Sequence, residues 1–232
     1  MGRAVTPFIS QYFLDRRRAT GIDIRLDAMV ARILDDRGAV AGIETASGER
    51  IEGDLALIAA GVVPNVELAA EAGLTVDNGI CVDETLLTDD PAISAIGDCA
   101  SFHSPFADGL VRFESVQNAV DQARCVAARL VGKSESYAAV PWFWSDQGDL
   151  KLQMVGVTGG ADRTVQVGST EEAKSSVFCY RGDRFLGAES VNRPGDHMAC
   201  RRVMSDAIDL PAETVAQDGF DLKTYVKSAV AQ

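Results

Sequence analysis

The chain has 232 residues, 47% of them hydrophobic, enough to bury more than one core and to form two or three compact units. Its 22 basic and 34 acidic residues leave a net charge of −12, which argues against general binding to nucleic acid or to an anionic membrane surface. No apolar run approaches the roughly 20 residues of a membrane helix, and Met1-Gly2-Arg3-Ala4 leads into no signal-peptide core, so a cytoplasmic location is expected.

The first segment, about 1 to 78, opens on a helical stretch through Phe8, Ile9, Tyr12, Phe13 and Leu14 that ends in Asp15-Arg16-Arg17-Arg18. After Thr20-Gly21, Ile22, Ile24 and Leu26 alternate with polar residues as in a strand. Further β-rich runs follow at 30–34 and 40–45, with Gly38 and Gly48 as turns. Leu55 to Gly61 reads as a wholly apolar strand of a parallel sheet that opens on Val62-Val63-Pro64-Asn65. Ligands of α/β sheets sit at such carboxyl ends, which makes Gly61 a candidate contact.

In the second segment, about 79 to 138, residues 80–83 and 93–96 are expected as short strands, separated by a turn at Thr88-Asp89-Asp90-Pro91. From Val116, apolar residues recur at Ala119, Val120, Ala123, Val126, Ala127 and Leu130. That spacing predicts a helix with Ser115 as N-cap and Gly132 as terminator. The third segment, about 139 to 232, holds four strand-like runs near 150–157, 164–167, 175–180 and 185–191, joined by short Gly-containing turns that favour an antiparallel sheet. A helix through Met198, Ala199, Val203, Met204 and Ala207 follows, and the tail after Pro211 can contribute another.

Two blocks point to chemistry. Ala95-Ile96-Gly97-Asp98-Cys99-Ala100 reads as a strand ending on a Gly-Asp turn, and Arg112 to Ala119 reads as a helix start. Together they aim an acidic side chain and unpaired helix amides at one ligand, which suits a flavin. Asp98 can accept hydrogen bonds from ribityl hydroxyls, Gly97 lets the backbone come close, and the amides around Val116 to Asn118 can hold the electron-rich edge of the ring. Glu114 sits just before that helix, either as a ligand contact or as a carboxylate that offsets the dipole. No G-x-G-x-x-G and no P-loop occurs anywhere in the chain.

Read with Ala60 to Asn65, Val82 to Thr88, Glu114 to Ala119 and Pro141-Trp142-Phe143-Trp144-Ser145-Asp146-Gln147, these blocks give a family resemblance. The chain resembles FAD-dependent, NAD(P)H-dependent ferredoxin reductases of the rhodocoxin and putidaredoxin reductase type, over essentially its whole length. The resemblance implies an α/β architecture in which incomplete doubly wound FAD- and NAD-binding domains precede a small α+β domain. Residues 1–78 would be the second half of the NAD(P) domain, 79–138 the returning part of the FAD domain, and 139–232 the reductase C-terminal domain. Since the family begins with a G-x-G-x-x-G for FAD and carries a second for NAD(P)H, Met1 falls after both, and a missing N-terminal half is an expected partner.

The resemblance further implies hydride transfer from NAD(P)H to FAD and single-electron delivery to a 2Fe-2S ferredoxin that serves an oxygenase or cytochrome P450. No side chain of this chain is expected to act as nucleophile or acid. Gly97, Asp98, Glu114, Ser115, Val116, Gly61 and one of the tryptophans, Trp144, would face the cofactors, with Trp142 in packing. Arg193, Arg201 and Arg202 would offer an acidic ferredoxin a local positive surface.

Two alternatives stay open. One is a pyridine nucleotide-disulfide oxidoreductase relative, against which the Trp142 to Gln147 block argues. The other is a non-catalytic module that binds a partner without flavin. Cys81, Cys99, Cys125, Cys179 and Cys200 form no C-x-x-C, so all five are expected as reduced thiols and no metal site is expected. His197 is expected to be structural or at the surface.

Overall fold

A computed structural model describes residues 4–230, so the stretch Met1 to Arg3 named above lies outside the described residues. The chain divides into two compact units, Phe13–Val63 and Met1–Tyr12 with Pro64–Gln232. The boundary falls within helix α1 (Pro7–Ala19), whose last turn carries Arg16, Arg17 and Arg18 where cations offset the helix dipole.

The smaller unit holds an antiparallel sheet of β1 (Val30–Asp36), β2 (Ala39–Thr45) and β3 (Arg50–Glu52), in that spatial order. Two sequence expectations fail here. Ile22 to Leu26 forms no strand; the segment is bounded by Gly21 and Asp27, both at positive φ, and lacks a neighbour to complete a ladder. Leu55 to Gly61 pairs with no strand, and far from being buried it leaves Leu55, Leu57 and Ile58 at 85%, 90% and 75% exposure. An apolar run becomes a strand only when another backbone takes up its N–H and C=O groups. Together with Val30, Ile33 and Ile43 this run lines a hollow of about 720 Å³.

In the larger unit, helix α2 (Glu67–Glu71) leads to β4 (Ile80–Cys81), which pairs in parallel with β5 (Ala100–His103), itself antiparallel to β6 (Leu110–Val111). The expected strand at 93–96 is reduced to one bridge between Ser94 and Leu87. Val82, Leu86, Ala95, Ala100 and Phe102 form the local core, closed by Phe113, Val126 and Tyr137. Helix α3 (Val116–Leu130) covers it with the predicted start and N-cap but not the predicted face: Asn118 and Gln122 are buried, whereas Val116, Val120 and Leu130 of the expected apolar stripe are exposed.

A five-stranded antiparallel sheet follows: β7 (Trp142–Gln147), β8 (Leu150–Gly156), β9 (Arg163–Ser169), β10 (Lys174–Arg181) and β11 (Arg184–Val191), in spatial order β7-β8-β11-β10-β9. Helices α4 (Pro194–Ser205), α5 (Ala212–Val215) and α6 (Leu222–Val230) lay Cys200, Val203, Val215, Leu222 and Val226 into a core with Val155, Phe178 and Tyr180. The tail after Pro211 is thus part of the core. Cys179 and Cys200 are buried and Cys81, Cys99 and Cys125 half-buried, all as free thiols, with burial pushing the Cys179 and Cys200 thiols upward.

Candidate functional site

Gly97–Cys99 is a single 3₁₀ turn between Ile96 and β5. Gly97 adopts φ +76°, a left-handed conformation that a side chain would strain, and it lies against Ala119 at the start of α3. Its N–H donates to Oε1 of Gln122 at 2.6 Å, and Gln122 is fully buried on α3. The turn is therefore fixed to the helix by a side-chain amide, and Asp98 is left exposed beside it.

The helix start is fixed just as tightly. Ser115 caps it, its Oγ accepting from the N–H of Asn118 at 3.1 Å, and the buried Asn118 donates to the carbonyl of Phe113 and accepts from the Tyr137 hydroxyl, both at 3.1 Å. Burial pushes the Tyr137 phenol well above its ordinary value, so it stays a neutral donor. Phe102 packs edge-on to both Phe113 and Tyr137, at 5.6 and 5.3 Å.

Arg112 joins the two motifs. Its Nη1 donates to the carbonyl of Asp98 at 2.8 Å and to Oε1 of Glu114 at 2.6 Å, with only 10% of its side chain exposed. Its stem passes Gly79, where a Cβ would come within 2.8 Å of the Cys99 carbonyl and 3.1 Å of Arg112 Cδ. Glycine at 79 makes room for the arginine.

Arg112, Phe113, Glu114 and Ser115 form one wall of a cavity of about 380 Å³. Trp142, Phe143 and Met154 form an apolar wall, and Ala4 with the backbone run from Gly156 to Gly159 closes it. Flat hydrocarbon surfaces, an arginine–carboxylate pair and a helix N-terminus converge there. Such a space accepts a planar heterocycle, with stacking walls for its faces and donors for its electron-rich edge.

Of the residues singled out in the sequence, Glu114 and Ser115 line this cavity, Gly97 and Asp98 lie outside its lining with the Asp98 carbonyl held by Arg112, and Val116 begins the helix that Ser115 caps. Trp144 was the tryptophan expected to face the cofactor and Trp142 the one expected in packing. Trp142 lines the cavity while also packing on the C-terminal core, whereas Trp144 is outside the lining, 39% exposed, with its ring 5.5 Å from that of Trp142. Alternation along β7 sets both indoles on one side, but only the strand's position in the sheet decides which reaches the cavity. Gly61 lies in the other unit, at φ +91° with open space around it.

The basic group is also altered, since it holds no array of three free cations. Arg193 pairs with Asp196 at 2.8 Å, Arg202 pairs with Asp206 at 3.1 Å, and the guanidinium of Arg201 lies 4.6 Å over the Trp142 ring. Their helix supplies its own carboxylates. His197 is buried, as the structural reading expected, and burial together with Arg201 depresses its pKa to about 4. Arg112 and Gln122 were missed in the sequence. Gln122 carried no signal, because it falls beside the expected apolar stripe of α3 rather than on it.

The chain belongs to the pyridine nucleotide-disulphide oxidoreductase family, whose model matches residues 1–123; residues 142–226 match the model of a reductase C-terminal domain. Among curated proteins it is similar to rhodocoxin reductase from Rhodococcus erythropolis, with 52% identity over 97% of this chain and 53% of that protein. Among solved structures it is similar to the ferredoxin reductase for the CYP199A2 system from Rhodopseudomonas palustris, with a TM-score of 0.93 and 48% identity over 97% of this chain and 56% of the other. It is likewise similar to the reductase of the covalent putidaredoxin reductase–putidaredoxin complex, with a TM-score of 0.94 and 38% identity over 100% of this chain and 56% of that one. The chain spans about half the length of the relatives it matches. No helix among the described residues is long and apolar enough to cross a membrane.

Proposed function

We propose that this chain supplies the ring-facing and partner-facing portion of a flavoprotein that passes electrons from NAD(P)H through FAD to a ferredoxin serving an oxygenase or a cytochrome P450. The observation that carries this reading is the cavity in which Arg112 ties the Gly97-Asp98 turn to Glu114 while Trp142 forms the opposite kind of wall. The segment division at 78/79 and 138/139 and the cytoplasmic location belong to the same reading.

The residues fit the ring end of FAD. Gly97 offers a backbone that a ligand can approach, Asp98 offers exposed acceptors for hydroxyls, and Ser115 uses its hydroxyl on Asn118, so the Val116 and Gln117 amides remain for an acceptor edge. FAD, when bound, supplies hydride acceptance and one-electron release. The protein's part is to orient and shield: Trp142, Phe143 and Met154 exclude water from the ring faces, and the Arg112–Glu114 pair sets the charge beside them. Gly61 is assigned to the nicotinamide side by the family resemblance. A ferredoxin would meet the surface near Trp144 and α4, where Arg193 and Arg202 are exposed only as ion pairs.

The test is the visible spectrum of the purified chain after incubation with FAD and gel filtration. A retained flavin whose bands differ from free FAD is the expected result. A colourless protein that nevertheless captures a 2Fe-2S ferredoxin would overturn the flavin reading in favour of a partner-binding module.

A further inference from the structure

We propose that Arg201 and His197 are positioning residues that clamp the indole of Trp142 in the cavity wall. Neither residue lines the cavity, whereas Trp142 does. The proposal rests on reading that cavity as the ring pocket.

Hydrogen bonds do not fix this indole. Trp142 Nε1 is buried without a partner among the described residues, and so is Nδ1 of His197. The ring's orientation must come from stacking. The imidazole of His197 meets it edge-on at 5.3 Å and 60°, the guanidinium carbon of Arg201 lies 4.6 Å from its centroid, and Trp144 tilts against it at 5.5 Å and 36°. His197 and Arg201 are four residues apart on α4, one helical turn, so they meet the indole from one helix face.

That helix is itself held. Asp196 accepts from Ser176 Oγ on β10 at 2.7 Å and from Arg193 at 2.8 Å, and Cys200 and Val203 are buried in the sheet core. A clamp mounted on such an element sets the side chain before any ligand enters, which lowers the ordering cost of binding. It also accounts for the middle cation of the arginine group, which is set over the indole where its two neighbours pair with carboxylates: the charge faces the π cloud. His197 is kept neutral by its surroundings, so a second cation does not compete with Arg201 there.

The chain has two tryptophans, so Trp144→Phe leaves Trp142 as the sole indole. In that background, time-resolved fluorescence anisotropy reads the freedom of Trp142, and quenching on addition of FAD reads the pocket. Arg201→Met, which keeps the stem and removes the cation, is expected to add fast depolarisation and weaken FAD binding about fivefold. Arg201→Lys is expected to restore most of both. His197→Phe, which keeps the ring edge, should resemble the parent, while His197→Ala loosens the indole. An unchanged anisotropy decay in both Arg201→Met and His197→Ala overturns the clamp, as does a lysine variant no better than methionine. Absence of FAD quenching in the parent would defeat the ring-pocket reading alone, because the anisotropy decay still decides the clamp without any ligand.

Discussion

Replacing Glu189 probes how the cavity's backbone wall is held. Glu189, on β11, is 0% exposed and has three donor groups around it. The N–H of Thr6 reaches both carboxyl oxygens at 2.9 and 3.0 Å, Thr6 Oγ1 lies 2.6 Å from Oε2, and Thr158 Oγ1 lies 2.8 Å from Oε1. Ala4 and Thr158 line the cavity, so this carboxyl ties together two parts of its wall. In Glu189→Leu the Thr6 N–H has no acceptor to replace the carboxyl, and an unsatisfied buried donor costs about 1–3 kcal/mol. With the two hydroxyls also released, we expect a loss of about 3 kcal/mol. Glu189→Gln keeps one acceptor oxygen, and a threonine hydroxyl can turn to accept from the new amide, so its loss should be near 1 kcal/mol.

The pH dependence separates charge from hydrogen bonding. Burial raises the Glu189 pKa, against the opposing pull of its Thr6 and Thr158 donors. A carboxyl raised in the folded state binds more protons there than in the unfolded chain, so its contribution is full below the unfolded value and is lost as pH rises through the folded one. The deficit of Glu189→Gln relative to the parent should therefore be largest below pH 4.5, the unfolded value, and shrink as the pH rises above it. The assay is urea unfolding followed by tryptophan fluorescence, since both tryptophans and Glu189 lie in the same unit. A deficit that grows with pH would show a carboxylate stabilised by its donors and refute the reasoning; equal losses in the glutamine and leucine variants would refute the hydrogen-bond account.

Gln122→Leu removes the acceptor of the buried Gly97 N–H and should cost about 1–3 kcal/mol in the same unfolding assay, with FAD retention falling in parallel. Leu57→Lys acts on the exposed apolar run of the smaller unit: the parent is expected to bind a hydrophobic dye such as anilinonaphthalene sulfonate, and the variant to bind it more weakly while its circular dichroism is unchanged. Equal dye signals would show that the run is not the apolar surface.

Much of the scaffold was legible because its signals are local. The apolar period from Val116 to Leu130, with Ser115 before it and Gly132 after it, placed α3 at the residues observed, since capping and helical spacing are decided within a few turns, while the face it buries was set by packing. Four of the five strands of the C-terminal sheet, all but β7, followed from β-rich runs broken by glycine turns, whose short connections favoured the antiparallel pairing observed. The Gly97-Asp98 turn and the Glu114-Ser115 helix start were visible as motifs for the same reason.

Long-range neighbours decided the rest. Leu55 to Gly61 has the composition of a buried strand, yet without paired backbone it is an exposed, irregular segment. Trp142 and Trp144 are indistinguishable by alternation; only the register of β7 against β8 and the approach of α4 set one on the cavity and beneath a guanidinium. Arginines 193, 201 and 202 read as a basic patch in sequence, where their partners are invisible, and the folded helix turns two toward carboxylates and one toward an indole. The sequence by itself determined the capped helix, the hairpin-joined strands and the motifs they bear, because those depend on residues a few positions apart. The tertiary structure alone decided how Arg112 joins the two motifs and how Glu189 binds Thr6, 183 residues away, because such contacts are made by side chains whose partners only folding brings within reach.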